Sequence, residues 1–254
     1  MKSISRRNLL KITGATVGAA TLGLLPAEIS ASEVPGQPTK KLKIIVVGAH
    51  PDDPETACGG TMALLAEEGH EVVSAYLTKG EAGLHGKTYD EAAAIRTKEA
   101  LDACKVINAR AEFLGQIDGN TEITASRYDA LYNFFAKEKP DMVITHWPVD
   151  RHRDHRICSV LVYDAWWKLN RIFDLYYFEV ESGSQSQNFN PTHFVDITSV
   201  VEKKHKACYC HVSQDMATVY REYHEIMEKF RGMEASCPYA EAFIKHNHSY
   251  RKLV

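Results

Sequence analysis

Apolar and β-branched residues of this chain fall into two kinds of pattern that alternate from residue 42 onward. Short continuous apolar runs are typical of strands buried on both faces of a sheet. Longer stretches with apolar residues at intervals of three and four are typical of helices. The short runs predict strands at 42–48, 71–78, 112–114, 141–145, 175–180 and 194–197. The longer stretches predict helices at 56–68, 89–107, 125–139 and 153–170, and mostly helix from residue 199 onward.

Helices of this length between successive strands indicate parallel strands joined by right-handed crossovers. The predicted fold class is therefore α/β, with a Rossmann-like, mostly parallel sheet and helices on both of its faces. No internal repeat or low-complexity tract interrupts the pattern. We expect one domain over residues 40–254, preceded by a linker at 32–39.

The composition excludes several classes of protein. The chain has 254 residues, of which 44% are hydrophobic and 25% are charged, and these proportions exclude a disordered, collagen-like or coiled-coil protein. Six Cys residues are too few for a disulfide scaffold of this size. The formal net charge is −3, so no basic excess indicates a nucleic-acid partner.

The first 31 residues predict an export signal of the twin-arginine type. Arg6 and Arg7 precede a weakly apolar run at 12–25, and 29–31 offers small residues for cleavage. That run is shorter than a helix that crosses a bilayer of about 30 Å, so an uncleaved membrane anchor is the secondary alternative. Cleavage after Ala31 leaves 26 Lys and Arg against 32 Asp and Glu, a net charge of −6. We expect the twin-arginine export machinery as a partner, and a periplasmic or extracellular location.

Two loops rich in acidic and imidazole side chains follow predicted strands. The segment 49–55, Ala-His-Pro-Asp-Asp-Pro-Glu, comes directly after the first strand, and the segment 145–155 comes directly after the fourth. Ligand sites of doubly wound sheets lie at the carboxyl ends of the strands. We therefore expect the two loops to face each other there, with the polar loops 79–87 and 182–191 at the rim.

The side chains of these loops favour zinc. Zn²⁺ binds imidazole nitrogen and carboxylate oxygen, and a catalytic zinc site has three protein ligands and one position for water. His50 and Asp53 lie three residues apart across a Pro-containing turn, and a His from the second loop completes such a set. The alternative is that the Asp residues cap helices and the His residues lie on solvated surface. Two such loops at one edge of a sheet favour the metal site.

These loops resemble the LmbE-like, or PIG-L-type, de-N-acetylases. The segment 49–55 matches the family motif A-H-P-D-D-x-E, and 152–155, His-Arg-Asp-His, matches its H-x-D-H motif. Weaker similarities at 96–100, 118–119, 211–214 and 239–243 extend the resemblance over nearly all of the expected domain.

The resemblance implies a zinc-dependent hydrolase that removes an acetyl group from an N-acetylated, N-acetylglucosamine-like sugar. The implied zinc ligands are His50, Asp53 and His155. It further implies that Asp52 is the general base and that His152 faces the reacting carbonyl, oriented by Asp154. A carboxylate beside that imidazole would also raise the pKa of His152.

Four other residues each have two interpretations. Glu55 either supports the metal ligands from behind or is an acidic residue favoured in the first turn of a helix. Arg96 either lies on a solvated helix face or, as the resemblance implies, reaches the substrate. Asp118 either binds a sugar hydroxyl or forms a turn, and Trp147 either stacks on a sugar ring or anchors its loop.

The sequence assigns no catalytic or metal-binding role to the cysteines. Cys58 is interpreted as a small packing residue because no basic partner lies beside it in the sequence. Cys208 and Cys210, with His205 and His211, suggest a second metal site. That site is disfavoured because the spacing of the two cysteines puts them on different faces of a predicted helix.

Three classes of function remain at this stage. They are a zinc amidohydrolase of an N-acetylated sugar or of a non-sugar N-acyl compound, a nucleotide-binding Rossmann module, and an exported metal-binding protein without deacetylase activity. The nucleotide-binding class is disfavoured because the first loop has no G-x-G-x-x-G motif to admit a pyrophosphate. The third class is disfavoured because Asp52, His152 and Asp154 exceed what three-ligand metal binding requires.

Overall fold

Seven strands form one sheet in a computed structural model that describes residues 40–247. The strands are β1 (Lys43–Gly48), β2 (Glu71–Tyr76), β3 (Arg110–Phe113), β4 (Met142–His146), β5 (Asp174–Phe178), β6 (His193–Asp196) and β7 (Ala240–Lys245). Their order in the sheet is β3-β2-β1-β4-β5-β7-β6. The first five in this order are parallel to one another, whereas β7 is antiparallel to both β5 and β6. The predicted Rossmann-like, mostly parallel sheet is thereby confirmed.

Seven helices connect or follow these strands. They are α1 (Asp53–Glu67), α2 (Tyr89–Ile107), α3 (Ala125–Glu138), α4 (Arg153–Lys168), α5 (Val201–Cys208), α6 (Met216–Val219) and α7 (Glu225–Ala235). A single π-helical turn, Tyr220–His224, joins α6 to α7. Local sequence explains the ends of α2: Thr88 and Glu91 form a capping box at its start, and Asn108 adopts the left-handed conformation at its end.

The sheet separates two hydrophobic cores. Alternate residues of β1 face opposite sides, so Ile44 and Val46 pack in one core while Ile45 and Val47 pack in the other. All four are fully buried. The continuous apolar run at the start of the domain therefore reflects burial on both faces, as predicted, and it fixes β1 at the centre of the sheet.

The prediction of mostly helix after residue 199 is wrong for the last element. Residues 240–245, Ala-Glu-Ala-Phe-Ile-Lys, contain good helix formers but form β7. Pairing with β5 on one side and β6 on the other determines this strand, and its first four residues are buried. Tertiary pairing here outweighs local propensity.

Among residues 40–247, no helix has both the length and the apolar character that a membrane crossing requires. The predicted signal at 1–31 and the predicted linker at 32–39 lie outside the described residues.

Candidate active site

The two acidic and imidazole-rich loops meet where β1 and β4 end. These strands are parallel neighbours, so their carboxyl ends lie at the same edge of the sheet. The turn after β1 is tight: a Cβ on Gly48 would come within 2.6 Å of the Pro54 ring and 2.7 Å of the Asp53 side chain. Glycine at this position therefore allows the chain to turn directly from the strand into α1.

The three predicted metal ligands lie close together and are buried. Oδ2 of Asp53 lies 3.3 Å from Nδ1 of His50, and Oδ1 of Asp53 lies 3.4 Å from Nε2 of His155. Burial raises the pKa of Asp53, but His155 and His146 outweigh burial and hold that pKa well below its ordinary value. Asp53 is thus an ionised carboxylate between two imidazoles.

Three overlapping groups of side chains bring their donor atoms near enough to hold a metal ion. Each group combines a residue of the predicted set with neighbours: His50, His152 and His155; Asp53, His146 and His155; and His50, Asp118 and Asp154. The predicted set of His50, Asp53 and His155 is not itself one of these groups. Each of the three groups nevertheless contains at least one member of the set, so the cluster as a whole can accommodate a cation.

His146 belongs to this cluster, although the sequence interpretation gave it no role. It is the last residue of β4 and is completely buried. Its Nε2 lies 3.2 Å from Oδ2 of Asp53 and 3.0 Å from the backbone nitrogen of Ala49, and its ring stacks on His155 with centroids 3.9 Å apart. Burial lowers the pKa of His146 to about 4, so the ring is neutral at pH 7. In the sequence, the position of His146 at the end of a predicted strand was the one feature that indicated a place in the site.

Asp52 lies beside the cluster with an unusual backbone conformation. Its φ of 111° is in a region that few residues other than glycine adopt. Its carboxylate accepts a hydrogen bond of 2.9 Å from Arg96, and the same guanidinium nitrogen donates to the carbonyl of Pro51 at 2.5 Å. Burial raises the pKa of Asp52, and the charge of Arg96 opposes that rise.

Arg96 is buried, which excludes the interpretation of a solvated helix residue. Two glycines of the loop after β2 make room for it, because a Cβ on either Gly80 or Gly83 would collide with the guanidinium. The loop at 79–87 was predicted to rim the site. Its glycines have a more specific role, which is to let Arg96 reach Asp52.

The environment of His152 differs from the expected one. The ring contacts Asp154 through the backbone, where the N–H of Asp154 donates to Nδ1 at 3.2 Å. The carboxylate of Asp154 instead accepts from Gly119 N–H at 2.8 Å and from the Thr121 hydroxyl at 2.7 Å, and it lies 3.3 Å from Nε2 of His50. Asp154 thus contacts the His152 ring through its backbone N–H, while its carboxylate is engaged elsewhere.

The pKa of His152 is also lowered rather than raised. The ring lies exposed at the cleft, and partial desolvation is the largest cause, followed by the neighbouring imidazoles of His50 and His155. The charge of Asp154 opposes these effects without overcoming them. In the structure His152 is therefore a neutral imidazole at pH 7.

Asp150 is a carboxylate that contacts the His155 imidazole from behind. Its Oδ1 lies 3.2 Å from Nδ1 of His155 and accepts the backbone N–H of His152 at 2.7 Å. Oδ2 accepts from the hydroxyl of Ser186. A carboxylate behind a ligating imidazole fixes its tautomer and orientation. Asp150 was part of the second loop in the sequence, but its spacing did not distinguish it from its neighbours.

Asp118 lies at the cleft, whereas Glu55 lies in the interior behind it. Oδ1 of Asp118 lies 3.1 Å from Nε2 of His50, at the cleft. Glu55 is fully buried and accepts from the hydroxyls of Ser74 at 2.8 Å and Tyr76 at 2.6 Å. Its hydroxyl partners thus lie on β2, and none of the Glu55 contacts found within residues 40–247 is with a predicted metal ligand.

Trp147 anchors a loop. Its indole N–H donates to the carbonyl of Gln187 at 3.0 Å, and its ring packs edge-on against Tyr177 and Phe189. Trp147 is absent from the residues that line the cleft. Of the two interpretations, the structure supports the loop anchor.

The second metal site suggested by Cys208, Cys210, His205 and His211 does not form within the described residues. None of the groups with metal-binding geometry includes any of these four. Burial raises the pKa of Cys208 well above its ordinary value, and the same is true of Cys58, so both thiols remain protonated. His211 instead lies 3.4 Å from Glu55.

A cleft of about 350 Å³ opens over the cluster. One wall carries the charged and imidazole side chains: His50, Asp52, Asp53, Arg96, Asp118, His152 and His155. The opposite wall is made of residues from 180–185 and 214–224. Apart from the weak similarity at 211–214 and the expected loop at 182–191, the sequence interpretation had not assigned this second wall to the site.

Comparison with known proteins places this geometry among related enzymes. Residues 45–166 match the family model described as PIG-L: GlcNAc-PI de-N-acetylase. The 4-oxalmesaconate hydratase of Pseudomonas putida is 27% identical over 216 residues, which cover 78% of this chain and 82% of the relative. The diacetylchitobiose deacetylase of Thermococcus kodakarensis is 26% identical over 218 residues, which cover 78% and 81%.

Solved structures share the fold. The N,N'-diacetylchitobiose deacetylase from Pyrococcus horikoshii superposes with a TM-score of 0.73 at 24% identity, over 82% of this chain and 84% of that chain. The match of the family model contains both loops of the cluster and the Arg96 helix. Over residues 45–166 the chain thus matches the PIG-L, or LmbE-like, family model, and deacetylases are among its relatives.

Proposed function

We propose that this protein is a zinc-dependent hydrolase that removes the acetyl group from an N-acetylated sugar. The observation that carries the proposal is the position of Asp52. It lies at the cleft beside the imidazole and carboxylate donors, yet its own ion pair is with Arg96. A carboxylate in that position is free to accept a proton from water.

The donor set fits a divalent cation. Five carboxylates lie in or beside the cluster, those of Asp52, Asp53, Asp118, Asp150 and Asp154. Within residues 40–247, their ion pairs to Lys or Arg are with Arg96 and Arg153. His50, Asp53 and His155 would hold the ion, which would supply the positive charge that polarises an acetamide carbonyl and acidifies a nearby water molecule.

The protein side chains then divide the proton transfers. Asp52 takes the proton of the attacking water, and its contact with Arg96 keeps its carboxylate aimed at the cleft. His152 lies at the cleft, and its edge contacts the His50 ring, with centroids 4.7 Å apart. From there it donates a hydrogen bond to the carbonyl oxygen as negative charge develops. The departing amine receives its proton from Asp52.

The relatives support a sugar substrate. The family model is named for a de-N-acetylase of a GlcNAc conjugate, and the Thermococcus relative is a diacetylchitobiose deacetylase. The test is to incubate the zinc-loaded protein with N-acetylated mono- and oligosaccharides and to measure released acetate and product mass. We expect one acetate per new free amine with every glycosidic bond intact. Shortened oligosaccharides that keep their acetyl groups would contradict the proposal.

His155 provides the matched test of the metal. His155→Ala should lose both stoichiometric zinc and acetate release, since it removes a central donor of the cluster. His85→Ala removes an exposed imidazole and should lose neither. Full zinc occupancy in the His155 variant would refute the ligand assignment.

Hydration of an unsaturated acid is the second candidate function. It is favoured by the hydratase relative at 27% identity, since both reactions direct a water molecule at an electrophilic carbon. The products distinguish hydration from deacetylation. A hydratase releases no acetate, and its reaction removes the absorbance of a conjugated double bond. A non-sugar N-acyl substrate is separated by adding acyclic N-acetyl amides to the panel, because acetate then appears only from those amides.

We propose that the protein acts outside the cytoplasm after twin-arginine export. The support is the Arg6–Arg7 pair and the apolar run that follows it. Changing both arginines to lysine should retain the protein in the cytoplasm of the cells that make it, as fractionation would detect. Unchanged export of that variant would contradict the route.

A further inference from the structure

One continuous helical segment contributes four residues to the wall of the cleft opposite the metal cluster. Helix α6, the π-turn and α7 follow each other without a break, and the backbone N–H of Glu225 bonds to the carbonyl of Tyr220, five residues earlier. Met216, Val219, Tyr223 and His224 line the cleft. Their spacing is that of one helix face, so the sequence of this segment encodes a cleft wall.

The π-turn supplies the aromatic and imidazole side chains of this wall. A π-turn inserts an extra residue into a helix and is frequent at functional sites. Here it brings two consecutive residues with rings, Tyr223 and His224, to the same cleft. Tyr223 is 48% exposed and lies at the mouth, whereas His224 is only 6% exposed and lies deeper.

His224 has an unused hydrogen-bonding atom. Its Nδ1 is buried and has no hydrogen-bond partner among the described residues. Burial lowers the pKa of His224 to about 4, and the charge of Lys204 lowers it further in the same direction. A buried, neutral imidazole with a free nitrogen at a cleft wall is suited to a hydroxyl group of a ligand, because an unpaired buried polar atom is otherwise unfavourable.

The residues of this wall that line the cleft carry no formal charge at pH 7. Its remaining polar groups are neutral, among them the amides of Gln185 and Gln214. All the formal charges of the cleft lie on the opposite wall, on the metal-site carboxylates and on Arg96, which is paired with Asp52. Arg221 and Glu222 belong to the π-turn but are not among the residues that line the cleft, so an anionic ligand would find no unpaired cation within the lining. A neutral ring with hydroxyl groups and apolar C–H faces matches its chemistry.

We propose that the π-turn forms a saccharide subsite beyond the acetamide-bearing ring, with Tyr223 as the stacking platform for a second neutral sugar and His224 as a hydrogen-bond partner. This inference rests on the proposed function and makes it more specific. The preferred substrate is an N-acetylated oligosaccharide rather than a single sugar.

The test compares one substrate that reaches the subsite with one that does not. Tri-N-acetylchitotriose and N-acetylglucosamine are offered to the full, zinc-loaded protein and its variants. Tyr223→Ala should raise the KM for the trisaccharide by about three- to tenfold, the range for loss of one aromatic stacking contact. The kcat for both substrates and the KM for N-acetylglucosamine should stay within about twofold of wild type, since the acetamide is bound elsewhere.

Two control variants separate stacking from other effects. Tyr223→Phe keeps the ring and should keep the wild-type KM. Phe230→Ala removes another half-exposed ring from the same helical segment, outside the cleft lining, and should also leave KM unchanged. An equal rise in KM for both substrates, or an unchanged KM in Tyr223→Ala, would overturn the subsite.

Binding without turnover distinguishes failure of the subsite from failure of the proposed function. In an Asp52→Asn background, calorimetric titration with tri-N-acetylchitotriose should give a Kd that Tyr223→Ala weakens by the same factor as KM. If the wild-type protein releases acetate but this Kd does not change, only the subsite is refuted. If the wild-type protein releases no acetate and the Asp52→Asn protein binds no trisaccharide, the proposed function fails as well.

Discussion

Asp52 adopts a backbone conformation that is unfavourable for a residue with a side chain. With φ at 111°, such a residue costs about 1–3 kcal/mol relative to a relaxed one. The turn between Gly48 and α1 imposes this conformation, and Arg96 holds the carboxylate in place. The arrangement fixes the direction of one carboxylate at the cleft, which is the property that a general base requires.

Replacing that carboxylate should separate proton transfer from metal binding. Asp52→Asn preserves the size of the side chain and leaves His50, Asp53 and His155 unchanged, so we expect full zinc occupancy. Turnover should fall by about 10²-fold or more, the usual scale for a general base. Metal analysis and acetate release measure the two quantities. Asp102→Asn, on the surface of α2, serves as the control, and near-normal turnover in a metal-replete Asp52→Asn protein would refute the role.

Gly80 tests whether the position of Arg96 matters. Gly80 and Gly86 have similar positive φ values, 71° and 77°, so alanine strains the backbone about equally at both. They differ in space: a Cβ at Gly80 collides with Arg96, and a Cβ at Gly86 meets nothing within 4 Å. Gly80→Ala should therefore lower kcat at least tenfold more than Gly86→Ala does, while both unfold at similar urea concentrations. Equal activities of the two variants would contradict a role for the Arg96 position.

The sequence predicted where the cluster lies but not the role of every residue in it. The two-loop pattern was enough to predict a cluster around His50, Asp53 and His155. It did not distinguish His146 and Asp150, which lie in or beside the same loop and contact Asp53 and His155. Their roles depend on which way each side chain points after β4 ends, and several Asp and His residues in one loop are equivalent until the backbone is known.

At the scale of elements, patterns with a single strong period were predicted best. Helix α2 has the predicted bounds of 89–107 because a capping box starts it and a left-handed Asn108 ends it. Strand β7 was missed because its residues favour helix and its strand conformation comes from β5 and β6. The π-turn could not be predicted from the sequence either, since Tyr220–His224 has the composition of an ordinary helix.

The π-turn predicts a specific pH dependence of stability. The pKa of His224 is about 4 in the folded protein against 6.5 when unperturbed, so the unfolded chain binds a proton first as pH falls. The contribution of neutral His224 to the free energy of unfolding is fully present above pH 6.5 and is lost as pH falls toward 4. His224→Gln should reduce the loss of unfolding free energy between pH 7 and pH 4 by about 3 kcal/mol, as urea titrations at both pH values would measure. An identical pH profile would contradict the assignment.

Across the whole molecule, one buried lysine joins elements that are far apart in the sequence. Lys204 on α5 is completely buried, and its Nζ lies 3.0 Å from Glu181, 2.9 Å from Glu241 and 3.5 Å from Glu228. Glu181 precedes a residue of the cleft wall, and Glu241 on β7 also accepts the backbone N–H groups of Gly60 and Thr61 in α1. The lysine thus links the cleft wall, the first helix and the last strand.

Neighbouring lysines give a matched test of this centre. Lys204→Met removes the lysine from three buried carboxyl groups, of which Glu228 keeps its contact with His205, and should lower the free energy of unfolding by about 3–5 kcal/mol. Lys203→Met removes an ion pair at the surface with Glu67 and should change it by less than about 1 kcal/mol. Urea unfolding of both variants measures the difference. Equal stabilities would show that the buried centre contributes no more than the exposed pair.

The order of strands in the sheet also sets the order in which the protein can fold during synthesis. β7 is made after β6, yet it lies between β5 and β6 and is the one neighbour of β6 in the sheet. While the ribosome is still making residues 197–239, β6 has no partner, and Lys204 lacks the carboxylate of Glu241. The parallel half of the sheet, with both loops of the metal cluster, can pair earlier. A nascent chain can therefore bring its two acidic and imidazole-rich loops together before it completes the opposite wall of its cleft.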